Sequence, residues 1–382
     1  MKAISTADRP AAGNPLASTL LQLWRDVPDP LLQPQALVHA RNLRVQADTN
    51  GTAAVAEVAL PYPANSLQAD LARQLRGAWA QADLAEPPPE IRFTTRIVPH
   101  AVPSRVALLP GVKNMVAVMS AKGGVGKSTT AVNLALALAA EGARVGLLDA
   151  DIYGPSVPML LGLRGQMPQV IDNTRIVPLE ACGIRAMSIG LLVPDEKATI
   201  WRAPMALKAL EQLLRQTQWG MPSADELDYL IVDMPPGTGD IQLTMSQRMP
   251  LTAAVMVTTP QDLALLDVQK GVQMLQKVGV PVLGVIENMA VHICSQCGHH
   301  EHIFGAEGGK TLARQHGLPY LGALPLALPI RQQADAGQPI VAADPQGGIT
   351  AIYRRMALQI AAGLAALPPD HSHKFPPVRV QA

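Results

Sequence analysis

The sequence has few cysteines, almost no excess of charge of either sign and no long apolar run. Three cysteines in 382 residues exclude a disulfide framework as the basis of the fold. No stretch of about eighteen apolar residues, as a membrane-spanning helix requires, is present. The N-terminal segment mixes charged residues with prolines and lacks the apolar core of a signal peptide. A net charge of +1 provides little attraction to nucleic acid or anionic lipid, so we expect a cytoplasmic protein that binds neither nucleic acid nor membranes.

Composition and turn residues divide the chain into two domains near residue 105. Residues 1–105 are predicted to form a small α+β domain with its linker, whose elements are a hairpin with an Asn-Gly turn, a helix and a further strand, at 43–47, 53–60, 66–82 and 91–98. Residues 106–367 alternate apolar strands with helices, which predicts an α/β domain with a mostly parallel sheet covered by helices on both faces. The tail, 368–382, is predicted to be unstructured.

The most informative motif is the glycine-rich segment 120–130, which lies between an apolar strand and a helix. Its glycines let backbone N–H groups point at phosphate oxygens, and the helix adds its positive N-terminal end. The motif therefore predicts a P-loop. Lys127 is expected to neutralise the β- and γ-phosphates, and Ser128 to offer its hydroxyl to Mg²⁺. The residues predicted to bind the nucleotide are Gly123, Gly124, Val125, Gly126, Lys127, Ser128 and Thr129.

A second lysine, Lys122, distinguishes this loop from the standard P-loop, which has glycine where this chain has Ala121. The core Lys-Gly-Gly-Val-Gly-Lys-Ser-Thr resembles the variant P-loop of the nitrogenase iron protein, MinD and ParA class. The resemblance implies a P-loop NTPase fold. It also implies that Lys122 reaches across a dimer interface to the phosphates held by the partner subunit.

Acidic side chains follow two of the predicted strands, where α/β sheets place catalytic groups. Four apolar residues that end in Asp233 form a Walker-B pattern, which predicts that Asp233 holds Mg²⁺. The resemblance implies that Asp151 positions the attacking water and that Asp149 supports the Mg²⁺ shell. Asn288, at the end of another strand, is expected to read adenine through its amide, with a turn role as the alternative.

Two other residues are assigned roles within the fold. Cys182 precedes a predicted strand and is expected to be buried in packing. Asp240 follows a Pro-Pro-Gly-Thr-Gly loop that is a candidate nucleotide switch, and it is a candidate cap of the helix at 241–248.

The pair Cys294 and Cys297 has the spacing with which two thiolates bind one metal centre. Two chains that meet face to face would supply the four thiolates of an iron–sulfur cluster. One chain could instead bind zinc through these cysteines and His299, His300 or His302. As a third hypothesis, the two cysteines form a redox-active dithiol.

Taken together, these motifs resemble those of the Mrp/ApbC-type iron–sulfur cluster carrier ATPases over about residues 110–362. The resemblance implies a homodimer that binds ATP, hydrolyses it slowly and bridges a labile 4Fe–4S cluster through Cys294 and Cys297. Apo iron–sulfur proteins and cluster donors are the implied partners. Ala203 replaces a glycine common in that family, and residues 61–65 lack the cysteine that relatives often carry there. The alternative is a partition or positioning ATPase with a structural zinc site.

Overall fold

The computed structural model of the chain describes residues 15–47, 54–82, 84, 87–103, 106–172, 174–193, 203–221 and 224–371. Its contacts divide the chain into two units, Met1–Ile97 and Val98–Ala382. Sequence composition placed this division at residue 105, a few residues further along. Among the described helices, none combines the length and the apolar character needed to cross a bilayer.

In its described residues, the first unit contains a three-stranded sheet and two helices. Its elements are α1 (Pro15–Leu23), β1 (Leu43–Ala47), β2 (Ala54–Leu60), α2 (Gln68–Gln81) and β3 (Glu90–Thr95). The central strand β2 pairs antiparallel with β1 and parallel with β3. The three strands and α2 were predicted, and α1 was not. The predicted Asn-Gly turn lies outside the described residues.

The second unit contains the larger sheet. The strands of this unit are β4 (Val112–Met119), β5 (Val145–Asp149), β6 (Val170–Ile171), β7 (Arg175–Ile176), β8 (Leu179–Ala181), β9 (Ile184–Ser188), β10 (Leu227–Asp233), β11 (Ala253–Thr258), β12 (Val282–Ile293), β13 (His300–Glu301) and β14 (Tyr320–Leu326). Of these, β6 and β7 form a separate two-stranded antiparallel sheet within the unit. Its helices are α3 (Lys127–Ala140), α4 (Val157–Leu160), α5 (Ala203–Gln216), α6 (Asp240–Arg248), α7 (Asp262–Lys277), α8 (Gly308–Gln315), α9 (Leu328–Asp335), α10 (Ile340–Ala343) and α11 (Gly348–Ala365), with a short 3₁₀ turn at Ile189–Leu191.

Seven strands of the large sheet are parallel, in the order β14-β12-β11-β4-β10-β5-β9. Two short strands, β8 and β13, extend this core by antiparallel pairing. The central strands are buried along their length, as the continuous apolar runs predicted. Helices flank the sheet, and α3 and α11 pack against each other as well as against strands. The predicted α/β P-loop fold is confirmed.

Part of the C-terminal tail, which was predicted to be unstructured, is ordered by backbone hydrogen bonds. Backbone N–H of Ala101 donates to the carbonyl of Pro368 at 3.0 Å, and that of Asp370 donates to Pro99 at 2.8 Å. His100 and Pro369 form the β-bridge between these two hydrogen bonds. The first residues of the predicted tail are therefore paired with a segment before β4. Residues 372–382 lie outside the described part of the chain.

Candidate nucleotide and cluster site

The P-loop connects the central strand β4 to the N-terminus of α3. Gly124 and Gly126 both have φ of 82°, a left-handed conformation that other residues adopt only with strain. Ser120 donates from its hydroxyl to the carbonyl of Lys122 at 2.9 Å, which holds the beginning of the loop. The helix begins at Lys127, so its first N–H groups, which have no intrahelical acceptor, face the loop. This arrangement suits an anion such as a nucleotide phosphate.

Lys127 lies inside the site, with only 6% of its side chain exposed, and it pairs with Asp233 at the end of β10. Its ammonium donates to Oδ1 of Asp233 and to the Ser128 hydroxyl, the latter at 3.1 Å. Burial raises the pKa of Asp233, and the charge of Lys127 partly opposes this rise. The second carboxylate oxygen of Asp233 is buried and has no hydrogen-bond partner in the described chain. An unpartnered carboxylate oxygen beside the Ser128 hydroxyl fits a Mg²⁺ shell of oxygen ligands and water.

Asp149 lies beside Asp233, because the parallel register of β10 and β5 aligns the two residues. Its Oδ2 accepts from the backbone N–H of Ser156 at 3.0 Å, from that of Val157 at 3.1 Å and from the Ser188 hydroxyl at 3.0 Å. Oδ1 accepts from the backbone N–H of Asp151 at 3.1 Å. Burial and the neighbouring Asp233 raise the pKa of Asp149 to about 7. The carboxyl therefore anchors the loop after β5, and its predicted support of Mg²⁺ remains a prediction.

A cavity of about 270 Å³ opens above the P-loop and is lined by loop residues together with Asp151 and Ser156. Asp151 is half-buried, and its Oδ1 accepts from the backbone N–H of Gly154 at 3.2 Å. Burial raises the pKa of Asp151, and Lys127 opposes the rise. Ser156 has a buried hydroxyl without a hydrogen-bond partner among the described residues, which leaves it free for a bound ligand. Sequence reasoning assigned Ser156 no role, although its position shortly after the two aspartates was a usable signal.

Lys122 differs from Lys127 in being exposed. Its carbonyl is held by Ser120, and no described carboxylate pairs with its ammonium. The side chain is therefore available at the surface of the phosphate loop. Its role across a dimer interface remains a prediction.

Asn288 is buried against the P-loop. Its Nδ2 donates to the carbonyl of Val125 at 2.8 Å, which joins β12 to a loop 163 residues earlier in the chain. A Cβ atom on Gly126 would overlap this same Nδ2, so any other residue here would have to displace the Asn288 amide and would also strain the backbone. The predicted contact of Asn288 with adenine is untested. The contact with Val125 was not foreseen, because it depends on tertiary packing.

The cysteine pair lies at the tip of an antiparallel hairpin formed by the end of β12 and β13. Backbone N–H of Cys294 donates to the carbonyl of His299, and that of Gly298 to the carbonyl of Cys294, both at 2.9 Å. Cys297 is exposed and Cys294 is partly exposed. Backbone N–H groups of Cys297 and Gln296 lower the pKa of the Cys294 thiol, which favours the thiolate form that binds metals.

A zinc site at this cysteine pair would require a third ligand from the same chain. Within the described residues, no group of three or more histidine, cysteine or acidic side chains is arranged to hold a metal ion. The ring of His302 is within 2.8 Å of the carbonyl of Ala290, through Nδ1. The two thiols are therefore accessible from outside the chain without an internal third ligand.

Two expectations about other residues are wrong. Cys182 is exposed rather than buried, because it lies in the tight turn between β8 and β9 with φ of 50°. Asp240 does not cap α6, because the N-cap position is occupied by Gly239. The side chain of Gln242 instead accepts from the N–H of Gly239 at 3.0 Å and performs the capping.

Comparison with known proteins places the site in context. Over 276 residues the chain is 56% identical to an iron–sulfur cluster carrier protein of Pseudomonas fragi, covering 72% of this chain and 94% of the relative. It is 46% identical to the protein of the same name from Haemophilus influenzae, covering 90% of each chain. A solved structure of a nucleotide-binding protein from Archaeoglobus fulgidus in complex with ADP superimposes with a TM-score of 0.52. That match has 36% identity and covers 60% of this chain and 88% of the other.

These similarities confirm the resemblance that the P-loop, the acidic strand ends and the cysteine pair indicated. Residues 111–361, more than half of the chain, match the family described as ParA, NUBPL iron-transfer P-loop NTPase. The chain therefore belongs to the NUBPL iron-transfer P-loop NTPase family.

Proposed function

We propose that this protein is an ATPase that carries a 4Fe–4S cluster between two copies of the chain and delivers it to apo-proteins. The observation that carries the proposal is the path of β12. This one strand contacts the P-loop through Asn288 and continues directly into the hairpin of Cys294 and Cys297. A nucleotide-binding loop and a thiol pair thus share a structural element. The relatives named iron–sulfur cluster carriers support the same conclusion.

The nucleotide part of the proposal assigns a role to each residue around the cavity. Backbone N–H groups of the loop and the ammonium of Lys127 bind the phosphates, and Lys122 reaches those of the partner subunit. Ser128 and Asp233 hold Mg²⁺, with Asp149 supporting the shell. Bound Mg²⁺ supplies electrostatic stabilisation of the charge that develops on the γ-phosphate. The base is adenine, with Asn288 and Thr129 assigned to the nucleotide.

Asp151 orients the attacking water in this proposal. In the structure Lys127 pairs with Asp233, and a γ-phosphate would compete with this carboxylate for the ammonium. Asp233, once free of Lys127, would hold Mg²⁺ through a water molecule. The matched test is Asp151→Ala against Asp240→Ala, which removes a carboxylate from the first turn of α6. We expect Asp151→Ala to bind ATP and lose turnover, with Asp240→Ala unaffected, and unchanged turnover in Asp151→Ala would remove its catalytic role.

The cluster is the cargo, and four thiolates are needed to hold it. One chain contributes Cys294 and Cys297, so two chains related by a twofold axis supply the full set. The lowered pKa of the Cys294 thiol and the exposure of Cys297 suit ligands that must release their cargo.

Anaerobic reconstitution with iron and sulfide, followed by metal quantification and light-scattering mass determination, tests the cargo. We expect roughly four irons for each dimer in the wild type. Cys294→Ala and Cys297→Ala should bind ATP and retain no cluster. The matched control is Cys182→Ala, which removes the exposed third cysteine and should retain full iron. One zinc for each monomer, or iron retained by Cys294→Ala, would overturn the cluster assignment.

A further inference from the structure

A polar cavity lies on the sheet of the first unit. It has a volume of about 380 Å³ and is lined by Arg41, Asn42, Arg44, Glu57, Ala59, Thr94 and Arg96. We refer to it as the arginine cavity. The opposite face of the same sheet packs in the core of the unit, where Leu43, Val58 and Leu60 are buried. The alternation of strands thus places an apolar face inward and this charged face outward.

The register of the sheet explains how residues from distant parts of the chain reach one cavity. Arg44 on β1 is directly opposite Glu57 on β2. Ala59, two residues further along β2, pairs with Thr94 on β3. Arg96 follows β3 and donates its backbone N–H to Leu60 at 2.7 Å, which keeps it beside the sheet. The cavity therefore extends across all three strands, with arginines at both sides.

Arg41 and Arg96, two arginines of this cavity, differ in their pairing from several arginines elsewhere in the unit. Arg25, Arg73 and Arg92 each form an ion pair with a nearby carboxylate. Arg41 and Arg96 are exposed, and no described carboxylate pairs with either guanidinium. Among the described residues that line the cavity, Glu57 alone is acidic, and its carboxylate also accepts from the Thr94 hydroxyl at 3.3 Å.

This concentration of positive charge does not follow from the composition of the unit. Residues 15–97 contain seven arginines, no lysine and eight acidic residues. The region is slightly acidic as a whole, yet three of its arginines surround one cavity. Such local concentration against the overall charge is typical of a site for an anionic ligand.

We propose that the arginine cavity binds an extended acidic segment of a partner protein through its carboxylates. Guanidinium groups bind carboxylates through paired hydrogen bonds. The two sides of a three-stranded sheet are about 10 Å apart, and neighbouring side chains on one face of an extended peptide are about 7 Å apart, a difference that the long arginine side chains can span. Two separated carboxylates can therefore contact the arginines at both sides while avoiding Glu57. None of the described residues that line the cavity is aromatic, so they offer no stacking surface of the kind that a nucleotide base uses.

This assignment goes beyond the proposed ATPase and cluster chemistry and does not depend on it. The cavity belongs to the first unit, and its residues are separate from the P-loop and the cysteine pair. Binding can thus be measured in the full chain without nucleotide or cluster.

Fluorescence anisotropy of a fluorescein-labelled octaglutamate peptide, titrated with the full chain at low salt, tests the proposal. We expect Arg41→Gln and Arg96→Gln each to weaken binding at least fivefold. The control Arg73→Gln removes the same charge from α2, outside the cavity, and should bind as the wild type does. Glu57→Gln should bind the peptide more tightly, a change that loss of structure would not produce. Thermal unfolding of each variant verifies that the first unit is folded.

Three results would overturn the proposal. Equal weakening by Arg73→Gln would show that only net charge matters. Binding unchanged in Arg41→Gln and Arg96→Gln would place the peptide elsewhere. Displacement of the peptide by millimolar inorganic phosphate at constant ionic strength would assign the cavity to a phosphate ligand. An octalysine peptide should not bind.

Discussion

Replacing Gly126 with alanine should break the contact between the P-loop and β12. Two separate costs arise from the structure. The left-handed backbone at φ of 82° costs a non-glycine residue roughly 1–2 kcal/mol. The new Cβ also occupies the position of Asn288 Nδ2, so the hydrogen bond to the carbonyl of Val125 is lost. An unsatisfied buried polar group costs about 1–3 kcal/mol.

Gly124 provides a matched control for this substitution. Its φ is also 82°, but a Cβ there would meet no atom within 4 Å. Gly124→Ala should therefore cost only the backbone strain, and Gly126→Ala should cost about 1–3 kcal/mol more. At roughly 2–4 °C per kcal/mol, this difference is measurable as a shift in Tm of the nucleotide-free protein.

A double-mutant cycle with Asn288→Ala isolates the contact. The single variant Asn288→Ala should cost about 1–3 kcal/mol in the wild type and almost nothing in the Gly126→Ala background, because the hydrogen bond is already lost there. Urea unfolding, followed by a signal from the second unit, gives the four free energies. Additive effects, or equal losses in Gly124→Ala and Gly126→Ala, would refute the reasoning.

The buried carboxyls give two further predictions for protein free of Mg²⁺ and nucleotide. Asp149 has a pKa raised to about 7 from its ordinary 3.8, so between these pH values the native state holds a proton that the unfolded chain releases. Stability of the wild type should therefore fall as pH rises, by about 2 kcal/mol between pH 5 and pH 7 relative to Asp149→Asn. A pH-independent difference between the two proteins in urea unfolding would contradict this. Asp233→Asn leaves the ammonium of Lys127 buried without its carboxylate and should cost about 3–5 kcal/mol, whereas the control Asp335→Asn, in an exposed ion pair with Arg331, should cost at most about 1 kcal/mol. Similar losses of stability in these two variants would argue against the buried pair.

The local parts of the site could be predicted from sequence because their chemistry depends on neighbouring residues. The turn at Gly124 and Gly126 requires glycine, and the helix that follows begins at Lys127 in the structure. The spacing of Cys294 and Cys297 places both thiols in one hairpin turn. Continuous apolar runs identified the central strands, since only a sheet buried on both faces uses them.

The sequence-based predictions were wrong for residues whose position depends on the three-dimensional surroundings rather than on the neighbouring residues in sequence. Cys182 has the apolar character of a buried residue, but its turn between two antiparallel strands projects into solvent. Asp240 is chemically suitable as an N-cap. However, α6 begins at Asp240 itself, so Gly239 occupies the N-cap position and the side chain of Gln242 caps the helix.

The sequence by itself determined that this protein has a phosphate-binding loop, a parallel sheet with aspartates at its strand ends and a pair of cysteines at metal-binding spacing. Only the tertiary structure decided that Asp149 and Asp233 are side by side, because their proximity depends on the register between two strands. The same is true of the contact between Asn288 and Val125, which joins residues 163 positions apart. Sequence patterns reflect interactions between residues that are close in sequence, whereas strand register and long-range contacts depend on the packing of the whole domain.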